Sequence, residues 1–237
     1  MDHWWEKIKE LMAKIKIKFG QLISNVRAVV MSEAFRIIDT YGVIADWILK
    51  TCDRIKQWVE RIIAEIELVI DNPGDPAALN NAATIWTTSI GKEMGAYSES
   101  LTLSKLRVDD HWKGVSADAY KESIPDQVKA FESFRDDLAG HVSAGLNTFA
   151  DGLSNMYSVL GGGLMAFAIQ LVAAIVLICF PLTAPGGVGL LITAVVTLLG
   201  VEWKALSDID LFQKAAMNEF QLAYSNSQQT WPTFSTS

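Results

Sequence analysis

The stretch that decides the fold is residues 109–120, which read DDHWKGVSADAY. Long segments with helical spacing of apolar residues flank it on both sides, so we expect it to form the corner of a helical hairpin. A chain reversal between helices favours a residue that adopts positive φ, and Gly114 supplies one. Trp112 offers a flat ring to cover the end where the helices separate. Ser116 or Asp118 is a candidate cap for the second helix.

Each flanking segment carries one apolar stripe with steps of three and four residues. Before the corner the stripe comprises Leu79, Ala83, Trp86, Ile90, Met94, Tyr97 and Leu101. After the corner it comprises Ala117, Tyr120, Ile124, Val128, Phe131, Phe134, Leu138, Val142, Leu146, Phe149 and Leu153. Pro125 lacks the amide proton that a helix needs, so a kink is expected near the start of the second helix. The pattern predicts a helical hairpin with one apolar face per helix.

Trp112-x-Gly114, followed by the ADAY sequence of residues 117–120, resembles the WXG family of type VII secretion substrates. The DPAAL sequence of residues 75–79 is similar to the start of the first helix in actinobacterial members. A bare W-x-G arises often by chance, and its position midway between two stripes is what makes the resemblance specific. The resemblance covers about residues 73–158. It implies a hairpin that pairs with a WXG-family partner or a second copy into a four-helix bundle, and export through the type VII secretion machinery.

One part of the family pattern is missing. The usual companion export signal is a tyrosine followed four residues later by Asp or Glu. The residues found at that distance after Tyr41, Tyr97, Tyr120, Tyr157 and Tyr224 are Ala45, Leu101, Ile124, Gly161 and Gln228. Export therefore depends on a partner's signal, or does not occur.

Composition excludes one class of partner. Half of the 237 residues are hydrophobic, and the formal net charge is −7. A nucleic-acid partner is not expected, because the phosphate backbone demands a basic surface. Cys52 and Cys179 lie on apolar faces of different segments, and we expect both to be buried small hydrophobic residues.

Residues 1–70 carry two further apolar stripes. The first comprises Trp5, Ile8, Met12, Ile15, Phe19, Leu22, Val26 and Val29, and the second comprises Ile37, Tyr41, Ile44, Ile48, Cys52, Ile55, Val59, Ile62, Ile66 and Val69. The second persists over several heptads, which is typical of coiled-coil packing. Ser32 is its candidate N-cap, and Gly42 weakens its interior without having to break it. The region is a long helical hairpin or one continuous helix.

The first N-terminal stripe has two interpretations. Five lysines, namely Lys7, Lys9, Lys14, Lys16 and Lys18, accompany it, as in a helix that lies in a membrane interface. In the other interpretation it is a bundle helix whose lysines face water.

Residues 71–76, DNPGDP, end the N-terminal helices. Because this breaker is short, we expect the N-terminal helices to pack onto the WXG-like hairpin, within the chain or swapped between copies. The competing interpretation leaves them as a separate arm.

The most hydrophobic region is residues 159–203. Leu164–Phe180 is uncharged and, with the preceding residues, reaches the ~20 residues of a membrane-spanning helix. Residues 181–187 turn the chain, and Val188–Val201 is uncharged again but short for a bilayer on its own. The pair is a candidate transmembrane hairpin, whose glycines permit close helix contact. The alternative is a hairpin buried within a helical protein or masked by a partner until release. We assign membrane insertion to Leu164, Phe167, Ile175, Leu190, Val195 and Trp203, the last as an interfacial anchor.

No catalytic set is present. His3, His111 and His141 are too scattered to ligate a metal, and neither glycine cluster, at 161–163 or 186–189, has the context of a phosphate-binding loop. We therefore expect no enzyme activity, no cofactor and no metal.

The predicted fold is all-α: an elongated helical bundle of a WXG-type hairpin and N-terminal helices, with a hydrophobic helical hairpin toward the C-terminus. Its segments are 1–70 (amphipathic helices), 71–158 (hairpin with the Trp112–Gly114 turn), 159–203 (hydrophobic hairpin), 204–225 (amphipathic helix) and 226–237 (disordered tail). By resemblance, the chain is a secreted or membrane-associated effector that inserts into or permeabilises a membrane. The alternative is a membrane-anchored helical scaffold. Lipid is the common partner of both hypotheses.

Overall fold

The protein's helices follow the apolar stripes closely. The computed structural model describes residues 4–39, 42–71, 73–101, 103–106, 112–180 and 182–229. Across these ranges the regular structure is helical, without a strand. The predicted all-α class is confirmed, including the long packed helices and the two long apolar helices toward the C-terminus.

The helices fall into three groups along the chain. The first group is α1 (Trp4–Val30), α2 (Glu33–Ile38) and α3 (Val43–Asp71). The second is α4 (Pro76–Ile85), α5 (Lys92–Ser100), α6 (Leu103–Leu106) and α7 (Val115–Ser133), with π-helical turns at Trp86–Gly91 and Phe134–Ala139. The third is α8 (Gly140–Ile178) and α9 (Ala184–Gln229). The chain forms two compact units, a first unit of 1–74 with 155–208 and a second unit of 75–154 with 209–237.

In the first unit, α1 and α3 form an antiparallel pair. Ion pairs along their edge join Lys9 to Asp71 at 3.6 Å, Lys16 to Glu67 at 2.5 Å and Arg27 to Asp53 at 3.6 Å. The N-terminal region is thus a hairpin, and not one continuous helix. Two lysines of the first stripe face acidic residues of α3, which supports the interpretation of α1 as a bundle helix.

The sequence predicts one continuous second stripe over 37–69, but the structure interrupts it in the connection between α1 and α3. Gly42 adopts φ 69°, outside the helical region, and divides that stripe between α2 and α3. Ser32 caps the short α2, since its hydroxyl accepts from the amide of Phe35 at 3.3 Å. Asp39 then accepts from the amide of Ala45 at 2.7 Å. These local hydrogen bonds offset the loss of helical bonds at the break.

In the first unit, the N-terminal helices pack against the hydrophobic hairpin and against Tyr157, near the end of the segment predicted as the WXG-like hairpin. The rings of Trp5 and Tyr157 have centroids 6.5 Å apart, and a Cβ on Gly161 would lie 3.9 Å from Ile8 Cγ1. The hydroxyl of Tyr157 donates to the carbonyl of Gly74 at 3.3 Å. The physical reason is apolar area, because the uncharged segment has the greatest surface to remove from water.

The second unit contains the helices around the predicted corner. Asp75 caps α4 by accepting from the amides of Ala77 at 2.9 Å and Ala78 at 3.2 Å, and α3 ends at Asp71, so the helix is interrupted where residues 71–76 predict a break. A Cβ on Gly91 would lie 3.6 Å from Ala139 Cβ, so the two π-helical turns approach closely. Pro125 lies within α7.

The end of α9 completes the second unit. His141 Nδ1 lies 2.7 Å from Glu219 Oε2. Two bulky rings, of Phe212 and Phe220, cover the glycines at 152 and 145, where an added Cβ would come within 2.4 Å and 2.6 Å of them.

The predicted helix 204–225 is the continuation of α9, which extends to Gln229. The disorder predicted from residue 226 is therefore wrong for 226–229, where helical hydrogen bonding continues. Residues 230–237 lie outside the described residues.

Candidate membrane-insertion hairpin

The candidate site is the hairpin formed by the second half of α8 and the first half of α9. No charged residue occurs between Asp151 and Glu202. At the turn, Phe180 accepts through its carbonyl from the amides of Thr183 at 3.0 Å and Ala184 at 2.9 Å. The Thr183 hydroxyl donates to the carbonyl of Leu177 at 2.6 Å. The tip therefore satisfies backbone groups internally, as a segment that enters lipid must.

Glycines hold the two arms in close contact, as the sequence predicted. A Cβ on Gly163 would lie 2.3 Å from Val201 Cγ1, and one on Gly187 would lie 2.5 Å from Ile178 Cγ1. Real Cβ atoms do not approach other atoms so closely, so neither position accepts a side chain without displacement of the facing arm. Small residues at such contacts are typical of helix pairs in membranes.

The hairpin has an inner face and an outer face. The inner face is the buried stripe of Leu160, Leu164, Phe167, Leu171, Ala174, Ile178, Val188, Leu191, Val195 and Leu198. The outer face consists of exposed large apolar side chains, namely Met165, Ile169, Val172, Val176, Val196, Leu199 and Trp203. Soluble proteins rarely expose so many neighbouring apolar side chains, and such patches mark partner or membrane contacts.

Both arms are long and apolar enough to cross a membrane, by length and composition. Each contains an 18-residue window of this kind, of which 28% is buried in α7–α8 and 39% in α9. Most of each window is therefore left uncovered by the rest of the protein. The helix of the second arm begins at Ala184, so its uncharged part through Val201 is about 27 Å long, close to the ~30 Å hydrocarbon core. This removes the shortfall expected for Val188–Val201 alone.

The six residues assigned to membrane insertion fall on different faces. Leu164, Phe167 and Val195 are buried, Ile175 and Leu190 are half-buried, and Trp203 is exposed. The outer-face side chains, apart from Trp203, are not among the residues predicted from the sequence. The helical spacing of the sequence predicts this outer face, because Met165, Ile169, Val172 and Val176 follow one another at steps of four and three.

The two cysteines differ in environment. Cys52 is buried on α3, and burial, with a smaller contribution from Asp53, raises the pKa of its thiol to about 11. Cys179 is exposed at the hairpin tip, so the expectation that it is buried is wrong. Its neighbour Phe180 is exposed as well, since none of the described residues of the first unit buries it.

Polar side chains mark the base of the hairpin. Glu202 is 5% exposed, and its carboxyl group lies near Glu65 and Arg61 of α3. Within the described chain, Glu202 Oε1 has no partner, and neither has the buried Gln170 Oε1 inside the hairpin. A buried polar atom without a partner is costly, so the contact between α3 and α9 is a weak point of the first unit.

In the described part of the corner, residues 112–120, Gly114 has the predicted positive φ but the predicted caps are absent. Gly114 adopts φ 109°, and the rings of Trp112 and Tyr120 have centroids 5.7 Å apart. Neither Ser116 nor Asp118 caps α7 through its side chain. The carbonyl of Gly114 instead accepts from the amides of Ala117 at 2.9 Å and Asp118 at 3.1 Å. Residues 107–111, including His111, lie outside the described residues, as does His3.

Among the described residues, no group of three or more His, Cys, Asp or Glu side chains is placed to hold a metal ion.

No family model matches the chain, and no curated protein or solved structure matches it. The resemblance to the WXG family rests on the motif and its position between two amphipathic helices.

Proposed function

We propose that this protein inserts a helical hairpin, Leu164–Val201, into a lipid bilayer. The observation that carries the proposal is the two-faced hairpin: an uncharged pair of arms, closely packed through glycines, with an exposed apolar outer face. Each large apolar side chain moved from water to lipid contributes about 1.5–3 kcal/mol. The outer face therefore supplies a substantial driving force without any change in the hairpin itself.

Helices α1 and α3 act as a water-soluble cover for the inner face. Their apolar stripes are buried, and charged side chains such as Lys16, Arg27 and Glu67 line their opposite surfaces. These charges cannot follow the hairpin into hydrocarbon. A spanning hairpin therefore requires the cover to separate from it, and lipid or a second hairpin to take the cover's place.

The same proposal includes export by a type VII apparatus, for which the WXG-like corner is the support. The positive φ of Gly114 and the packing of Trp112 on Tyr120 suit the family's hairpin turn. Because the tyrosine-based signal is missing, we propose export together with a WXG-family partner that carries it. In this scheme the cover keeps the protein soluble until it reaches its target membrane.

Charge placed on the outer face tests insertion. Ala173 is exposed on that face, whereas Ala64 is exposed on α3 of the same unit and serves as the matched control. Lysine in a bilayer centre costs about 2.5–3.5 kcal/mol, so we expect Ala173→Lys to lower vesicle flotation roughly a hundredfold and Ala64→Lys to leave it unchanged. Failure of the parent protein to float with vesicles of any composition would overturn the proposal.

The second candidate function is a membrane-anchored helical scaffold. The observation in its favour is the second unit, a compact body with its own helices that is available for assembly. Alkaline extraction separates the two: a scaffold stays in the membrane pellet throughout, whereas an exported effector is recovered from the culture supernatant at some stage.

A further inference from the structure

We propose that the protein first contacts the bilayer through one end of the first unit, which we call the tip face: Met31, Ile37, Val43, Phe180 and Leu182. This inference rests on the proposed function and adds a second lipid-binding element, α2, to the hairpin. It also fixes which end of the first unit meets the membrane.

Helix register places these residues at the same end. The pairs Trp5–Tyr157 and Ile8–Gly161 show that α1 and α8 run side by side in the same direction. From Ile8 to Val30 the helix rises about 33 Å, and from Gly161 to Ile178 it rises about 26 Å. The α1–α3 connection and the hairpin tip therefore emerge at one end of the unit.

The side chains of the tip face are unusually exposed for their type. Met31 is 73%, Ile37 80%, Val43 68%, Phe180 63% and Leu182 84% exposed. They come from two segments far apart in sequence, so a local turn does not account for the patch.

Helix α2 holds its part of the tip face outward. Phe35 is 2% exposed and anchors α2 to the unit, while Ile37 on the same short helix faces away. The hydrogen bonds of Ser32 and Asp39 fix both ends of this segment. The exposure of Ile37 thus follows from the way Phe35 anchors α2.

Continuity with the hairpin selects lipid as the occupant. The outer face runs from Met165 through Ile169 and Val176 toward Phe180, so it joins the hairpin part of the tip face, Phe180 and Leu182, without an intervening charge. Trp47, 45% exposed in the second turn of α3, stands near the rim, where an interfacial anchor belongs. If the tip enters the bilayer first, the uncharged arms of the hairpin follow it.

The test uses the full chain and vesicles of phosphatidylcholine with an anionic phosphatidylglycerol fraction. The tip variant is Ile37→Gln, with Val43→Gln as a second tip variant in case the first disturbs α2. The control is Leu68→Gln, because Leu68 is 73% exposed on α3 but lies about 37 Å along that helix from Val43. We expect each tip variant to lower vesicle partitioning roughly tenfold and the control to change it less than about twofold.

A fluorophore on Cys179 of the parent protein distinguishes failure of the proposed function from failure of the tip-face inference. Cys179 is exposed, whereas Cys52 is buried, so the label attaches to the tip. If the parent protein neither partitions into the vesicles nor shows a blue shift in the emission of the Cys179 label, the proposed function itself fails. If the parent partitions and shifts but both tip variants bind like the control, the tip-face inference is overturned and the hairpin proposal stands. Loss of self-association in the tip variants with unchanged lipid binding would assign the tip face to a second copy and likewise overturn the inference.

Discussion

At the scale of single residues, glycines decide how the hairpin packs. A Cβ on Gly163 would lie 2.3 Å from Val201 Cγ1, whereas one on the adjacent Gly162 would have nothing within 4 Å. The two positions share the same helix and nearly the same sequence context, so they form a matched pair for substitution.

We expect Gly163→Val to destabilise the protein by about 1–3 kcal/mol, because it overpacks the contact between the two arms. Gly162→Val should stay within about 0.5 kcal/mol of the parent, since it meets open space. Urea unfolding followed by circular dichroism gives both values. Equal effects of the two substitutions would contradict the close approach of the arms.

Residue-level prediction from sequence succeeded where local geometry leaves few options. Gly114 is predicted at positive φ because a reversal favours it, and Asp75 is predicted to begin a helix because residues 75–79 resemble the first-helix start of WXG-family members. It failed for the caps at Ser116 and Asp118, since Gly114 already offers its carbonyl to the first amides. It failed for Cys179 because exposure depends on which helices lie opposite.

At the scale of helices, the central feature is the cover formed by α1 and α3. The sequence predicts their amphipathic character and their antiparallel pairing through the stripe spacing. It does not predict the partner, because every apolar stripe in the chain is able to pack against any other. The structure selects the hydrophobic hairpin for the N-terminal helices, and the end of α9 for the WXG-like hairpin.

A disulfide between α1 and α8 tests whether the cover must leave. A Cβ on Gly161 would lie 3.9 Å from Ile8 Cγ1, so Ile8→Cys with Gly161→Cys is close enough for a bridge. In a background with Cys52→Ser and Cys179→Ser, we expect the oxidised protein to bind vesicles at their surface without spanning them. Reduction should restore insertion.

The reduced form of the same variant is the control, and carbonate-resistant association with vesicles is the measurement. Equal insertion in both redox states would show that the hairpin enters lipid with its cover in place.

At the scale of the whole molecule, neither unit is continuous in sequence. The first unit needs residues 155–208, and the second needs residues 209–229 as well as 75–154. The resemblance to a two-helix family over residues 73–158 therefore describes only part of the second unit. The boundaries predicted from the sequence fall at changes of composition, whereas α8 and α9 each contribute to both units without a break in the helix.

Removal of residues 209–237 should destabilise the second unit. The rings of Phe212 and Phe220 cover the glycine face of α8, and their loss exposes apolar surface there. We expect the melting temperature to fall by several degrees, on the order of the 4–8 °C that accompanies each 1 kcal/mol in a small domain. Thermal melting of the truncated chain measures this, with removal of 230–237 alone as the control. Identical melting of both truncations would show that the end of α9 contributes nothing to the unit.

The absence of charge along the hairpin also determines how proteases act on it. No lysine or arginine occurs between Arg135 and Lys204, so trypsin releases this whole segment as a single piece, whether it lies in water or in lipid. Survival of that piece in a tryptic digest is therefore no sign of shielding by a bilayer. Chymotrypsin cleaves after aromatic residues and leucine but not before proline, so Phe180, which precedes Pro181, is not a site. Leu182 and Trp203 are sites, and both are exposed in this structure. Protection at Leu182 with continued cleavage at Trp203 is the pattern that distinguishes a buried tip from an accessible base.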